Sequence, residues 1–484
     1  MKKGSLLKFS GIVVLLVTVT WIISCAVNPV TGKKEFMFMT EADEINLGKN
    51  TDQQIIQMYG LYEDPELQTY INTMGQDMSK LTHRPQLKYE FKILDTPVIN
   101  AFAVPGGYVY FTRGILGYLN NEAELAGVMG HELGHVNARH SARTYSKSML
   151  AGIGLFIGTE LSEEFAKYAP YVQFGVSMLF LRFSRDDERQ ADALGVEYSS
   201  KSGYDSNYMG NFFDTLMRLS PGSSQSGLPG WFSTHPNPPD RVNAVHRDTE
   251  MWQKQLGNQN FQVNSNKYLS AVDGLVFGED PRQGYVEDGT FYHPAMRFKF
   301  AVPAGWQVMN TPAQVQMVSQ KEDAVILFSV AQQATPKQAA DSFVQETSAQ
   351  VFESKALSVN KLSAHRVFSE ITSEQSVIDV VSYFIRKDNN TFVFHGYTAK
   401  QDIETYKSTF QTTMGKFSHL SDPAKINVEP AHLRIFKTKK QGTLREALNS
   451  NNVPEKRLEE FAILNGRQLD DSLPAGTMVK ILEE

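Results

Sequence analysis

Two histidines four residues apart, with a glutamate beside the first, carry the clearest chemistry of this 484-residue chain, in His131-Glu132-Leu133-Gly134-His135. On a helix, residues four apart lie on one face, so both imidazoles can reach one metal ion while Glu132 flanks it. The alternative is a structural histidine pair on a buried helix. A third ligand favours the metal site, because catalytic zinc typically takes three protein ligands and keeps one position open.

Glu188 is the candidate for that third ligand. It lies in a segment that begins with a cap residue, Ser184, and continues as a helix. Asp192 follows one turn later on the same face, where its carboxylate can accept the free N–H of a ligating imidazole. The sequence therefore predicts two helical segments that face a single Zn²⁺ ion.

The helix that carries the two histidines has its own signals. Asn121 can cap it, and Glu124 stands three residues further on, in the first turn. Gly127, Gly130 and Gly134 each lower helix propensity by about 1 kcal/mol relative to alanine. Three glycines in one helix predict close packing against a neighbouring element.

A zinc ion held in this way lowers the pKa of a bound water to about 7 and polarises a peptide carbonyl. Glu132 would accept the water proton and pass it to the leaving amine. His235 and Arg241 are candidate donors to the developing oxyanion. Each has an alternative: His235 caps the helix that opens near Pro238, or Arg241 pairs with an acidic neighbour on the surface. We interpret His140 as structural.

Several motifs, in this order along the chain, resemble those of one zinc metalloprotease family. They are Asn100-Ala101-Phe102-Ala103-Val104-Pro105-Gly106-Gly107, Glu124-Leu125-Ala126, the His-Glu motif with His140 beyond it, Glu188-x-x-Ala191-Asp192, and His235-Pro236 with Arg241. The family includes the CAAX prenyl endopeptidases, the HtpX-type heat-shock proteases and the periplasmic β-barrel assembly-enhancing protease.

The resemblance spans roughly residues 40 to 250. It implies that zinc is held by His131, His135 and Glu188, that Glu132 is the catalytic base, and that Asp192 supports a ligand. It also implies that His235 can occupy the open metal position as a latch in a resting state.

Substrate entry is predicted along a strand-like segment near the metal helix. Gly107, Tyr108 and Val109 lie in it, and an extended peptide can add to an open strand edge through backbone hydrogen bonds. This mode favours unfolded chains. Two apolar stretches, 149–158 and 171–183, separate the metal helices. Both are short for a membrane span, and we interpret them as core, or alternatively as helices that lie on a membrane.

The N-terminus has the layout of an export signal, with Lys2, Lys3 and Lys8 before an uncharged apolar run. Its end, Ile22-Ile23-Ser24-Cys25, resembles a bacterial lipobox, which implies removal of residues 1–24 and a lipid on Cys25. The alternative is an uncleaved anchor helix. Ala26 after the cysteine favours the outer membrane. The expected location is therefore the periplasmic side of a bacterial membrane.

Length and a hydrophobic content of 41% allow several cores. We predict a multidomain fold: a tether over 25–40, an α-rich zincin-like protease domain with a small sheet over 41–255, an α+β domain over 291–418 and a small βααβ domain over 432–484. The segments 256–290 and 419–431 are predicted linkers. The net charge of −6 does not indicate a nucleic-acid-binding protein.

The last fifty residues read strand, helix, helix, strand and look like a LysM module, which implies binding to N-acetylglucosamine polymers such as peptidoglycan. The alternative is a small packing domain. The function expected for the chain is a membrane-attached zinc metalloendopeptidase that cleaves unfolded or misassembled envelope proteins. Two alternatives stay open: a latched, zinc-containing assembly factor or chaperone, and a peptidoglycan-anchored scaffold.

Overall fold

A computed structural model describes residues 25–37, 39–152, 182–219, 230–235, 240–257, 260–372 and 377–483. The predicted signal segment, and most of the two apolar stretches predicted as core or membrane-surface helices, lie outside these residues. Within the described ranges, no helix combines the length and the apolar character that crossing a membrane requires.

The first half of the described chain is mainly helical. It starts with a hairpin of β1 (Cys25–Val27) and β2 (Lys34–Phe36). Its helices and further strands are α1 (Glu41–Tyr59), α2 (Pro65–Ser79), β3 (Glu90–Leu94), β4 (Ala101–Val104), β5 (Tyr108–Thr112), α3 (Arg113–Tyr118), α4 (Glu122–Asn137), α5 (His140–Gly152), α6 (Arg185–Lys201), α7 (Asn207–Arg218), α8 (Trp231–Thr234), α9 (Arg241–Leu256) and α10 (Ser265–Ala271).

The small sheet has the order β3-β5-β4, which corrects the predicted substrate edge. Strand β5 pairs with β3 on one side and with β4 on the other. Tyr108 and Val109 therefore lie in the central strand, and the N–H of Glu90 already donates to the carbonyl of Gly107. Strand β4 is the edge strand beside α4. Among the described residues, no strand pairs with its outer edge.

Helices α4 and α6 pack closely along their glycines, as predicted. A Cβ added at Gly130 would lie 2.8 Å from the carbonyl oxygen of Gly195. One added at Gly134 would lie 3.1 Å from the Cα of Ala191. The absence of side chains at these positions lets the two backbones approach, and this approach brings the metal motif on α4 close to Glu188 on α6.

The segment predicted as a tether packs against the helical region. The buried side chain of Asn28 donates to the carbonyl of Ala138 at 3.2 Å. Arg143 on α5 pairs with Glu35 at 2.8 Å. The chain just after Cys25 is therefore attached to the helical region by side-chain contacts.

The second half is rich in sheet. It contains β6 (Val276–Phe277), β7 (Tyr285–Glu287), β8 (Thr290–His293), β9 (Phe298–Ala301), β10 (Gln307–Asn310), β11 (Gln314–Val318), β12 (Ala324–Ala331), α11 (Pro336–Thr347), β13 (Gln350–Val359), β14 (Leu362–Thr372), β15 (Val377–Lys387), β16 (Asn390–Ala399), α12 (Ile403–Gly415), β17 (Ser418–His419) and α13 (Pro423–Ile426). A seven-stranded antiparallel sheet, β10-β11-β12-β16-β15-β14-β13, and a four-stranded sheet, β17-β9-β8-β7, enclose a core of phenylalanines that includes Phe298, Phe328 and Phe394.

The chain ends with β18 (Ala431–Lys437), β19 (Gly442–Thr443), α14 (Leu444–Asn449), α15 (Leu458–Leu464), β20 (Ser472–Leu473) and β21 (Met478–Glu483). The predicted order of strand, helix, helix and strand is present. The segment predicted as a linker, 256–290, contains α10 and contributes β6 to the sheet β21-β18-β6. The C-terminal elements share one hydrophobic core with the helical region, so the two parts pack as neighbours. Helices thus dominate before the large sheet, in agreement with the predicted multidomain fold.

Candidate metal centre

Helix α4 brings His131 and His135 to one buried face. The helix begins after Asn121, whose side-chain oxygen accepts the N–H of Glu124 at 2.8 Å. Every residue of α4 is buried, so its polar side chains face other protein groups rather than solvent. A histidine pair on such a helix needs specific partners, because burying a polar group without one is costly.

Four side chains converge in the interior between α4, α6 and α8, namely His131, His135, Glu188 and His235. Each offers one ligand atom, and these four atoms all lie within 4.8 Å of one another. The Nε2 atoms of the two α4 histidines are 3.0 Å apart. Glu188 lies 3.4 Å from His135 Nε2 through one carboxylate oxygen and 3.7 Å from His131 Nε2 through the other. The structure thus brings together the three ligands predicted from the sequence.

Asp192 lies where the sequence predicted. Its Oδ1 is 2.9 Å from His131 Nδ1. Because a carboxylate accepts, the ring hydrogen of His131 lies on Nδ1 and its Nε2 presents a lone pair to the centre. Burial lowers the pKa of His131 to about 3, so this ring is neutral at physiological pH.

Arg241, the first residue of α9, is buried against the two carboxylates. Its Nε lies 2.8 Å from Asp192 Oδ2, and its Nη2 lies 3.3 Å from Glu188 Oε2. Arg241 therefore pairs with acidic neighbours, as the alternative role predicted, but the pairs lie in the interior and not on the surface. The pair positions Asp192 for its contact with His131.

His235 stands at the centre instead of capping the following helix. Its Nδ1 is 3.0 Å from Glu188 Oε1 and 3.2 Å from His131 Nε2. Helix α9 begins at Arg241 and Asp240 directly precedes it, so His235 does not cap this helix; Pro238 lies outside the described residues. The ring of Trp231 stacks on that of His235 with centroids 4.4 Å apart.

Glu132 lies beside the cluster, with one carboxylate oxygen 3.7 Å from His235 Nε2. Burial raises the pKa of Glu132 to about 8, in the range that suits a general base or acid near neutral pH. Burial also raises the pKa of Glu188, but the charge of His235 and the hydrogen bonds of His135 and His235 hold it well below its ordinary value. The two carboxyl groups therefore differ in protonation, although both are buried.

The donor set fits a divalent cation. If the hydrogen of His135 lies on Nδ1, as that of His131 does, two imidazole lone pairs face each other at 3.0 Å, an arrangement that a positive charge between them stabilises. Among the described groups, His235 Nε2 is buried without a hydrogen-bond partner, and Glu188 Oε2 has only its ion-pair contact with Arg241. Two neutral imidazoles and a carboxylate form a typical ligand set of catalytic zinc.

Two aromatic residues that border the centre, Phe183 and Trp231, are not among the site residues predicted from the sequence. Phe183 stacks on His135 with ring centroids 4.1 Å apart, as Trp231 does on His235. The available signal was position alone: Phe183 directly precedes the cap of α6, and Trp231 stands four residues before His235.

Comparison with known proteins agrees with this geometry. Residues 65–249 match the family described as "Peptidase family M48". The "Beta-barrel assembly-enhancing protease" of Escherichia coli (strain K12) is 28% identical over 234 residues, which is 46% of this chain and 47% of that protein. The "Putative beta-barrel assembly-enhancing protease" of Vibrio cholerae is 32% identical over 187 residues, 37% of this chain and 38% of that protein. The "Mitochondrial metalloendopeptidase OMA1" of Arabidopsis thaliana is 30% identical over 158 residues, 32% of this chain and 30% of that protein.

The chain spans less than half the length of these relatives. Residues 65–249 match this family, so the resemblance read from the motifs is confirmed for this part of the chain. The predicted peptidase domain, 41–255, contains the whole of the matched segment.

Proposed function

We propose that this chain is a zinc metalloendopeptidase that hydrolyses unfolded or misassembled polypeptides of the bacterial cell envelope. The observation that carries the proposal is the buried convergence of His131, His135 and Glu188, with Glu132 beside them. A buried carboxylate facing two imidazole nitrogens has a clear function when a cation joins them. The match to a metallopeptidase family over residues 65–249 supports the same conclusion.

In this proposal His131 and His135 hold zinc through Nε2, and Glu188 holds it through its carboxylate. A zinc ion bound there supplies Lewis acidity, which polarises a carbonyl and lowers the pKa of water. Glu132, in its carboxylate form, accepts the proton of the attacking water and returns it to the leaving amine. Asp192, itself paired with Arg241, keeps the hydrogen of His131 on Nδ1.

Substrate binds, in this proposal, along the outer edge of β4 rather than along 107–109. An extended peptide adds to that edge through backbone hydrogen bonds, which select for unfolded chains more than for particular side chains. The edge is next to α4. Helix α8 starts close to it, because the N–H of Trp231 donates to the carbonyl of Ile99 at 3.1 Å.

His235 acts as a latch in this conformation. Its Nδ1 lies within hydrogen-bonding distance of both Glu188 and His131, so it occupies space at the centre that water and substrate need. Once it moves away, His235 and Arg241 remain the candidate donors to the oxyanion. Replacing His235 with alanine separates the roles. Peptidase activity rises if His235 mainly blocks the site, and it falls if His235 mainly donates to the oxyanion.

The proposed location is the periplasmic side of a bacterial membrane, with the outer membrane favoured and a lipid on Cys25 as the anchor. The lipobox-like Ile22-Ile23-Ser24-Cys25 and the names of the bacterial relatives support it. The C-terminal module is proposed to contact peptidoglycan, on the support of its strand, helix, helix, strand order. The proposed partners are thus envelope polypeptides, the membrane and the cell wall.

The test is cleavage of unfolded casein by purified protein with zinc, with chelator, and after chelation followed by zinc. Glu132→Gln should lose at least 100-fold in rate yet bind zinc as the wild type does. Glu250→Gln, an exposed position on α9, is the matched control and should keep full activity. Cleavage that survives chelation or the Glu132→Gln change would refute the proposal.

A second candidate, a latched assembly factor that acts by binding, is favoured by His235 Nδ1 at the centre. Cells that carry only the Glu132→Gln variant distinguish the two. Full restoration of envelope integrity by that variant would make binding the main function. Loss of integrity, with normal amounts of the protein, would make cleavage the main function.

A further inference from the structure

His140 is fully buried and has no part in the chemistry above, yet it contacts a proposed zinc ligand directly. Helix α4 ends at Asn137 and α5 begins at His140, and between them Arg139 adopts a left-handed backbone with φ +57°. Arg139 is held there by Glu44 and by the carbonyl of Met39 at 2.9 Å. This sharp connection turns His140 back toward the preceding helix.

The contact joins the Nδ1 atoms of His140 and His135 at 2.9 Å. The other ring nitrogen of His140, Nε2, lies 3.0 Å from the side-chain oxygen of Gln190 on α6. Phe183 stacks on the ring of His135, with centroids 4.1 Å apart. Both the plane and the Nδ1 edge of His135 therefore have fixed neighbours.

One placement of the ring hydrogens gives each donor among His135, His140 and Gln190 an acceptor in this series of hydrogen bonds. If His135 offers its Nε2 lone pair to a metal, its single ring hydrogen lies on Nδ1 and needs an acceptor. The Nδ1 lone pair of His140 is that acceptor, which puts the hydrogen of His140 on Nε2. That hydrogen then points to Gln190 Oε1, an oxygen that can only accept.

We propose that His140 is a positioning residue for the metal ligand His135, fixing its tautomer and ring orientation, and that Gln190 fixes His140 in turn. This inference rests on the proposed zinc site. It assigns the two imidazole ligands different supports: His131 donates to the carboxylate of Asp192, whereas His135 donates to a neutral imidazole. Partners of this kind orient ligands and commonly contribute a factor of 10 to 100 in metal affinity.

The test is the zinc dissociation constant, measured by competition with a chelator, together with the melting temperature of the metal-free protein. His140→Leu removes the acceptor at similar volume and should weaken zinc binding about 10- to 100-fold. His140→Asn can place an oxygen near the former Nδ1 and should stay within about fivefold of wild type. The metal-free melting temperatures of the two variants should agree.

Matched controls separate this inference from the proposed function. His395→Leu replaces a histidine of the large sheet and should leave zinc affinity unchanged. Glu188→Gln should abolish tight binding. If the wild type binds no zinc, the proposed function fails. If it binds zinc and loses it in Glu188→Gln, but His140→Leu binds as tightly as the wild type, only the role of His140 fails.

Equal losses of affinity in His140→Leu and His140→Asn would also overturn the inference, because they would show that the imidazole only fills space. If His140→Leu does not fold, Gln190→Leu tests the same chain from its outer end, where the side chain is half-buried. It should weaken zinc binding about three- to tenfold. An unchanged affinity there would refute the hydrogen-bond chain.

Discussion

Lys480 gives the sharpest test of how the end of the chain supports the metal helix. It lies on β21 and is fully buried, and its ammonium group donates to the carbonyls of Gly117 at 2.8 Å and Leu119 at 2.9 Å. Burial lowers its pKa, and the charge of Glu124 on α4 opposes that fall. A C-terminal side chain thus satisfies the carbonyls that directly precede the helix of His131.

The substitution Lys480→Met keeps the stem and removes the charge. Two buried carbonyls then lose a charged donor, which costs about 1–3 kcal/mol each, and the better burial of methionine offsets part of this loss. Removing one partner of a buried charge pair costs about 3–5 kcal/mol in measured cases. We therefore expect a local loss of about 3 kcal/mol.

Hydrogen exchange followed by mass spectrometry is the appropriate assay, because it reports a local loss of stability peptide by peptide. A loss of about 3 kcal/mol predicts exchange about 100-fold faster in peptides from 117–137. Peptides from β15 and β16 should not change. Lys437→Met, an exposed lysine on β18, is the control and should leave all peptides unchanged.

Exchange in 117–137 within about threefold of wild type would refute the reasoning. So would a uniform acceleration across the whole chain, because it would mean that the substitution acts on general stability. The predicted result would also mean that residues 432–484 cannot be deleted to test glycan binding. Substitutions in the exposed parts of loops 439–442 and 474–476 are the suitable alternative.

Three further predictions concern packing, charge and burial. Gly130→Ala should force α4 and α6 apart and weaken zinc binding at least tenfold in chelator competition, whereas Gly415→Ala, with open space around the added Cβ, should leave it unchanged. Arg241→Met should lower thermal stability by about 3–5 kcal/mol, because it leaves the buried Asp192 carboxylate without its positively charged partner. Exposed Arg247→Met should stay within about 0.5 kcal/mol of the wild type. Burial lowers the pKa of His395 from 6.5 to about 4, so its neutral form stabilises the sheet domain above pH 6.5 and that stability is lost as pH falls toward 4. Between pH 7.5 and pH 4, the free energy of urea unfolding should therefore fall by about 3 kcal/mol less in His395→Gln than in the wild type.

The ligand set was predictable because its spacing is local. The i and i+4 positions of His131 and His135, and of Glu188 and Asp192, follow from helix geometry alone. That the two helices meet was only inferred, from the glycines of α4. Gly130 of α4 lies against Gly195 of α6, and this close contact is the physical reason that the two helices meet as inferred.

The substrate edge was not predictable from its segment. Residues 108–112 alternate in the same way whether the strand is central or at an edge, and only pairing with distant residues decides between the two. The same limit applies to Lys480, which looks like a solvent-facing residue in an alternating strand. Its partners, Gly117 and Leu119, stand more than 360 residues earlier in the chain.

Anomalous diffraction from crystals of the zinc-loaded protein, recorded above and below the zinc absorption edge, tests the central claim most directly. We expect one peak per chain, about 2.0–2.2 Å from Nε2 of His131, Nε2 of His135 and a carboxylate oxygen of Glu188. A zinc-loaded crystal without a peak at these three atoms, or with its peak elsewhere, would contradict the account.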